Sequence, residues 1–224
     1  MAAFGCAIRR RVFQWRLMET LTRRELGILS RLETPSKIQD YLDRLLYSSE
    51  ERYRSPRSVM RDRMAHCFDG AVFAATALRR VGYPPLVLDM LPNERDDDHI
   101  LALFRRNGCW GAVAKSNYVG LRFREPVYRT LRELVMSYFE QYYNVLREKT
   151  LRAYTLPLNL AAFDRLNWMV RDEPMDLIAL RLDRQRKFRV ITPRTAASLS
   201  PVDQRSYKAG MLYVNRAGLF RVKP

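Results

Sequence analysis

The sequence is poor in the residues that build cross-links and metal centres. Three cysteines among 224 residues (Cys6, Cys67 and Cys109) are too few, and odd in number, for a disulfide framework. No two form a CxxC pair, and His66 and His99 are the only histidines, so neither a zinc site nor any other metal or cofactor is expected. Unpaired thiols suit a reducing compartment, and a cytoplasmic location is expected. No apolar run approaches the ~20 residues that span a bilayer. The opening MAAFGCAIRRRVFQWRLMETL does not place a basic segment before an apolar one, so no signal peptide is expected. Internal repeats and low-complexity segments are also absent.

What is present is a 47% hydrophobic chain, enough for one core with an appendage, carrying a net charge of +16. Residues 1–63 hold 14 basic and 8 acidic side chains, residues 64–118 hold 6 and 6, and residues 119–224 hold 20 and 10. The neutral middle segment is therefore flanked by basic ones. Such a charge attracts nucleic acid. Here, however, the arginines alternate with acids and no nucleic-acid motif accompanies them, so a solvated surface is the stronger expectation.

The division expected along the chain is a basic N-terminal extension or helix over 1–33, a core with a following helix over 34–156, and a β-rich appendage over 157–224. Phe13, Leu17, Leu21 and Ile28 have helical spacing. Ser36 is expected to cap a helix running to Leu46, and YSSEERYRSPR reads as a loop. A helix is predicted from Cys67 to Arg80, stopped by Gly82 and Pro84-Pro85. Strands follow at 86–91, in HILALF and in CWGAVAK, the last two joined at Asn107-Gly108, a strong hairpin signal. Pro126 is expected to open a helix to Tyr143 with Val127, Leu131, Leu134, Tyr138 and Tyr142 on one face. LIALRLD, KFRVITP and GMLYVNRAGLFRV read as strands, the last as a hairpin.

The chemistry centres on AHCFDGAVFAATALRRVGYPP. Cys67 opens a helix of small and apolar residues, where about half a positive charge favours thiolate. The competing reading is a buried structural cysteine. His99 begins a strand whose alternation puts it with Leu101 and Leu103. A thiol on a helix and an imidazole on a neighbouring strand can meet at hydrogen-bond reach, the arrangement that activates a nucleophile. His66 adjoins Cys67, but consecutive helical side chains diverge, so it is not the expected base. A third group should orient the ring. A two-residue turn at Asn107-Gly108 sets Ser116 opposite His99, and a one-residue bulge would bring Asn117 there instead.

These residues resemble the transglutaminase-like branch of the papain-like cysteine enzymes over about residues 34–118, and a bacterial group within it. CFDGAVFAATALRRVGYPP is similar to the family's cysteine-led helix, DDDHILALF to its histidine strand, and GCWGAVAKSNY to its tryptophan-bearing strand. The family's aspartate would fall four residues after Trp110, where Ala114 stands. The resemblance implies an α+β papain-like core, a cysteine-led helix against an antiparallel sheet, with helical additions and a small β-rich C-terminal part. It also implies acyl chemistry on a peptide or protein amide, with Cys67 as nucleophile, His99 as base and Ser116 or Asn117 behind the ring. The alternative is an inactive member that binds protein or peptide, and a second alternative is a basic nucleic-acid-binding protein. Some transglutaminases use calcium, but Asp96-Asp97-Asp98 lacks the alternating ligands and glycine of a dedicated loop and reads as solvated. Arg122, Arg124 and Arg129 are expected to pair locally with Glu125 and Glu133.

Overall fold

The computed structural model describes residues 21–221, so Phe13 and Leu17 of the expected lead-in helix lie outside the described residues. Helix α1 (Arg23–Ser30) starts at Thr22, whose hydroxyl and the Glu25 carboxylate close a capping box. Helix α2 (Pro35–Asp43) is capped by Thr34 and not by Ser36. Pro35 takes the first helical position, and the Thr34 hydroxyl accepts from the Lys37 N–H. The chain leaves α2 before Leu46, which opens the short strand β1 (Leu46–Tyr47). The stretch read as a loop contains the start of α3 (Pro56–Asp62), and β1 pairs in parallel with β2 (Met64–Ala65).

Helix α4 (Cys67–Arg80) has the predicted bounds, and Gly82 adopts φ +100° just beyond it. Every residue from Cys67 to Leu78 is buried, as expected of a helix with little polar surface. The sheet beside it is antiparallel. Strands β3 (Leu86–Leu91), β4 (His99–Arg106) and β5 (Cys109–Val113) follow in order, and Asn107 and Gly108 turn with φ of 52° and 80°. The β4–β5 register runs from Arg106↔Cys109 to Ala102↔Val113, which is the register of a two-residue turn. The ladder ends there, leaving Ser116 beyond it.

Pro126 does not open a helix. It lies in β6 (Arg124–Tyr128), at the edge of the sheet, where a residue without an N–H is tolerated. Helix α5 (Leu131–Met136) starts after a Thr130 cap. It ends at Met136 and does not reach Tyr143, so Leu134, Tyr138 and Tyr142 are buried without sharing one helix face, and Val127 is exposed. Strands β7 (Ala153–Thr155) and β8 (Leu158–Asn159) then both pair with β3.

The C-terminal part is mainly helical, not β-rich. LIALRLD belongs to α6 (Met175–Asp183), in which Met175, Ile178 and Leu182 are buried. That helical period won over the alternation seen in a seven-residue window. Of KFRVITP only β9 (Lys187–Arg189) is extended, and α7 (Pro193–Ala197) follows. The expected terminal hairpin is replaced by α8 (Gln204–Gly210) and a 3₁₀ turn at Arg216–Gly218. The sheet order is β6-β5-β4-β3-β7-β9, with β8 also on β3. One core joins α4 and its neighbouring helices to Val87, Ile100, Ala102 and Phe104. A second holds Leu88, Leu101, Leu103, Leu134, Tyr138 and Tyr142 on the opposite face. No helix among the described residues is long and apolar enough to cross a membrane.

Candidate active site

The site is built where the start of α4 meets the start of β4. His66 is extended and caps α4, and Asp69 in the first turn accepts from the His66 N–H at 3.3 Å and the Arg54 N–H at 2.7 Å. Arg54 is itself buried among Asp69, Asp62, Glu50 and Ser48. This clamp fixes where the helix begins, and therefore where Cys67 stands.

The Cys67 S–H donates to the Asp98 carbonyl at 3.8 Å, and the Ile100 N–H donates to the sulfur. These two backbone groups bracket His99. The His99 ring does not hydrogen-bond to Cys67 among the described residues. Strand alternation turns it toward the second core, where it lies edge-on to Tyr142 with centroids 6.5 Å apart. Its Nε2 is 2.7 Å from the Leu121 carbonyl, which can only accept, so Nε2 carries the proton and Nδ1 is the unprotonated nitrogen. The ring is thus oriented by the Leu121 backbone oxygen and not by Ser116 or Asn117, a contact without a side-chain signature in the sequence.

The helix start does not lower the thiol pKa as expected. Burial pushes the Cys67 thiol well up, and Asp98, Asp97 and Asp89 add to this, while the Ile100 N–H opposes them. Asp69 also occupies the favourable end of the helix dipole. Burial likewise lowers the His99 pKa to about 4, against the pull of its Leu121 hydrogen bond. The resting pair is a neutral thiol and a neutral imidazole.

Ser116 and Asn117 have other partners. Ser116 Oγ accepts from the Tyr118 N–H at 3.0 Å. The Asn117 amide donates to the Asn215 and Gly218 carbonyls at 2.9 and 3.2 Å and accepts from the Asn215 N–H at 2.8 Å. Both still line, with His99, Tyr142 and Phe220, a small cavity of about 40 Å³. They also border a wider groove of about 710 Å³ that includes Tyr47, Lys115 and Arg122. The Cys67 thiol lines neither space.

Where the family pattern would put an acid, Ala114 is buried and adjoins Lys115. Lys115 caps the end of α2, its Nζ donating to the Leu42 and Leu45 carbonyls at 2.9 and 2.6 Å. The expected local arginine pairs are rearranged. Arg122 meets Asp43, Glu125 meets Arg106, and Arg124 lies over the Tyr138 ring at 3.9 Å. Glu133 accepts from the Arg129 backbone N–H, not from its guanidinium.

No family model matches this chain, and no curated protein matches it. Among solved structures, Legionella pneumophila LapG is similar with a TM-score of 0.34 and 15% identity over 47% of this chain and 71% of that one. The EGTA-treated form of Legionella pneumophila LapG is similar with a TM-score of 0.40 and 11% identity over 74% of this chain and 96% of that one. Both likenesses are slight, and the site is defined by this chain's own side chains.

Proposed function

We propose that the chain is a cysteine-dependent amide hydrolase or acyl transferase of transglutaminase-like type, with Cys67 as nucleophile and His99 as base. One observation carries this reading: the sulfur lies against the two backbone groups that bracket His99, while Leu121 holds the ring with Nδ1 deprotonated. This chemistry requires the His99 ring to reach the sulfur, with which it makes no hydrogen bond at rest; as Cys67 Sγ attacks the carbonyl carbon of a peptide or protein amide, its proton then passes to His99 Nδ1. The Cys67 N–H, in the first helical turn and without an intrahelical acceptor, would donate to the oxyanion. The imidazolium returns the proton to the leaving amine. Water or a second amine then resolves the thioester, giving hydrolysis or transfer. Ser116 and Asn117 border the approach to the ring in this scheme.

A second reading, a non-catalytic protein- or peptide-binding module, draws support from the buried thiol with its raised pKa. Exposure to an activated aryl ester, followed by intact-mass measurement, separates the two. The catalytic reading expects stoichiometric acylation of the wild type, none at this site in Cys67→Ala, and a rate lower by roughly 10²–10⁴ in His99→Gln. Acylation of Cys67 no faster than in the urea-unfolded chain would leave the binding module standing.

A further inference from the structure

Asp89 lies on β3 opposite Ile100 of β4, on the face that carries Val87 and α4. Its side chain is 0% exposed, and neither carboxylate oxygen has a hydrogen-bond partner. Asp98, just before β4, and Asp183, the last residue of α6, each bring an oxygen close, so that the three ligand atoms lie within 4.8 Å of one another. Lys187 is the basic side chain whose charge acts on the group, yet it forms no ion pair with any of the three among the described residues. Three mutually repelling carboxylates, one of them fully buried with both oxygens unmatched, are relieved either by taking up protons, toward which burial pushes Asp89 and Asp98, or by a compensating cation that the oxygens are spaced to hold.

We infer that Asp89, Asp98 and Asp183 form a binding site for a hard divalent cation. The donor set is all oxygen, which selects against zinc and other ions that favour nitrogen or sulfur. The span matches calcium best, because two Ca–O bonds of about 2.3–2.6 Å bridge oxygens up to roughly 5 Å apart. Magnesium would draw the three closer. Asp183 is exposed, so the ion has a route in, and water completes its shell. The site goes beyond the acyl chemistry but touches it through Asp98, whose carbonyl accepts the Cys67 thiol hydrogen.

The test uses the full chain, stripped with a chelator and titrated with calcium, magnesium or manganese by calorimetry and thermal melting. One saturable site is expected in the wild type and equally in Cys67→Ala, so binding stands or falls apart from the thiol reading. Asp183→Asn, at an exposed position, should weaken binding at least about tenfold. Asp89→Asn should abolish binding and raise the melting temperature of the stripped protein, since it removes the buried acid. Absence of heat and of any thermal shift with all three ions to about 10 mM, above the weakest ordinary calcium modules, would overturn the site. So would unchanged affinity in Asp183→Asn.

Discussion

Replacing Gly70 by alanine sets helix propensity against packing. Propensity alone favours alanine inside α4 by about 1 kcal/mol. A Cβ at Gly70, however, would stand 3.4 Å from Lys115 Cα and 3.2 Å from its Cγ, and far inside contact distance of its Cβ. These atoms are the root of the side chain, and the far end is held by the Leu42 and Leu45 carbonyls. Lys115 therefore cannot swing aside, and relief must come from moving α4. Overpacking of this kind costs typically 1–3 kcal/mol, and contact with backbone-proximal atoms puts Gly70→Ala at the upper end. The net loss is about 2 kcal/mol, or roughly 4–8 °C in melting temperature for a chain of this size. Urea denaturation measures it directly. Displacement of α4 also carries Cys67 from Asp98 and Ile100, so alkylation of this thiol should quicken. A Gly70→Ala protein as stable as the wild type would refute the close approach of α4 to Lys115.

Asp164, 8% exposed, receives both arms of the Arg79 guanidinium at 2.6 and 2.7 Å and the Trp168 indole N–H at 3.1 Å. Asp164→Ala should cost about 3–5 kcal/mol in urea unfolding, and a loss below about 1 kcal/mol would show the pair to be solvent-screened. The His99 imidazole should titrate near 4 by ¹⁵N NMR, with the proton on Nε2 at neutral pH, and a midpoint near 6.5 would contradict its burial. A base with a folded pKa below 6.5 favours the fold fully above 6.5. That stability is lost as pH falls from 6.5 to about 4, where the unfolded chain takes up the proton first. Asp69, raised from 3.8 to about 7 by burial, acts in the opposite sense across the whole of this window, so comparison with His99→Gln isolates the histidine.

The parts of the fold written in local chemistry were readable from the sequence. The bounds of α4 follow from an apolar run ended by Gly82 and two prolines. The β4–β5 register follows from Asn107-Gly108, whose positive φ values only that turn type needs. Pro126 misled because proline suits the first turn of a helix and the edge of a sheet equally, and only the order of strands decides between them. LIALRLD misled because seven residues are too few to distinguish a period of two from one of 3.6. At the site, Cys67 and His99 were identifiable as residue types on a helix and a strand. The Leu121 carbonyl was not, since backbone oxygens leave no trace in residue identity. The gathering of Asp89 with Asp98 and Asp183 depends on contacts between β3, β4 and α6, which no local pattern encodes.

The Asn117 clasp has a consequence for how the protein is made. It binds the backbone at Asn215 and Gly218, Asn215 in turn donates to the Tyr47 carbonyl, and Phe220 walls the small space beside His99. Of the groups around the imidazole, Leu121 and Tyr142 follow residue 99 by 22 and 43 positions, and the wall at Asn215 and Phe220 by more than a hundred. The ring's surroundings therefore draw on segments spread along most of the chain that follows it, and its enclosure cannot precede their synthesis.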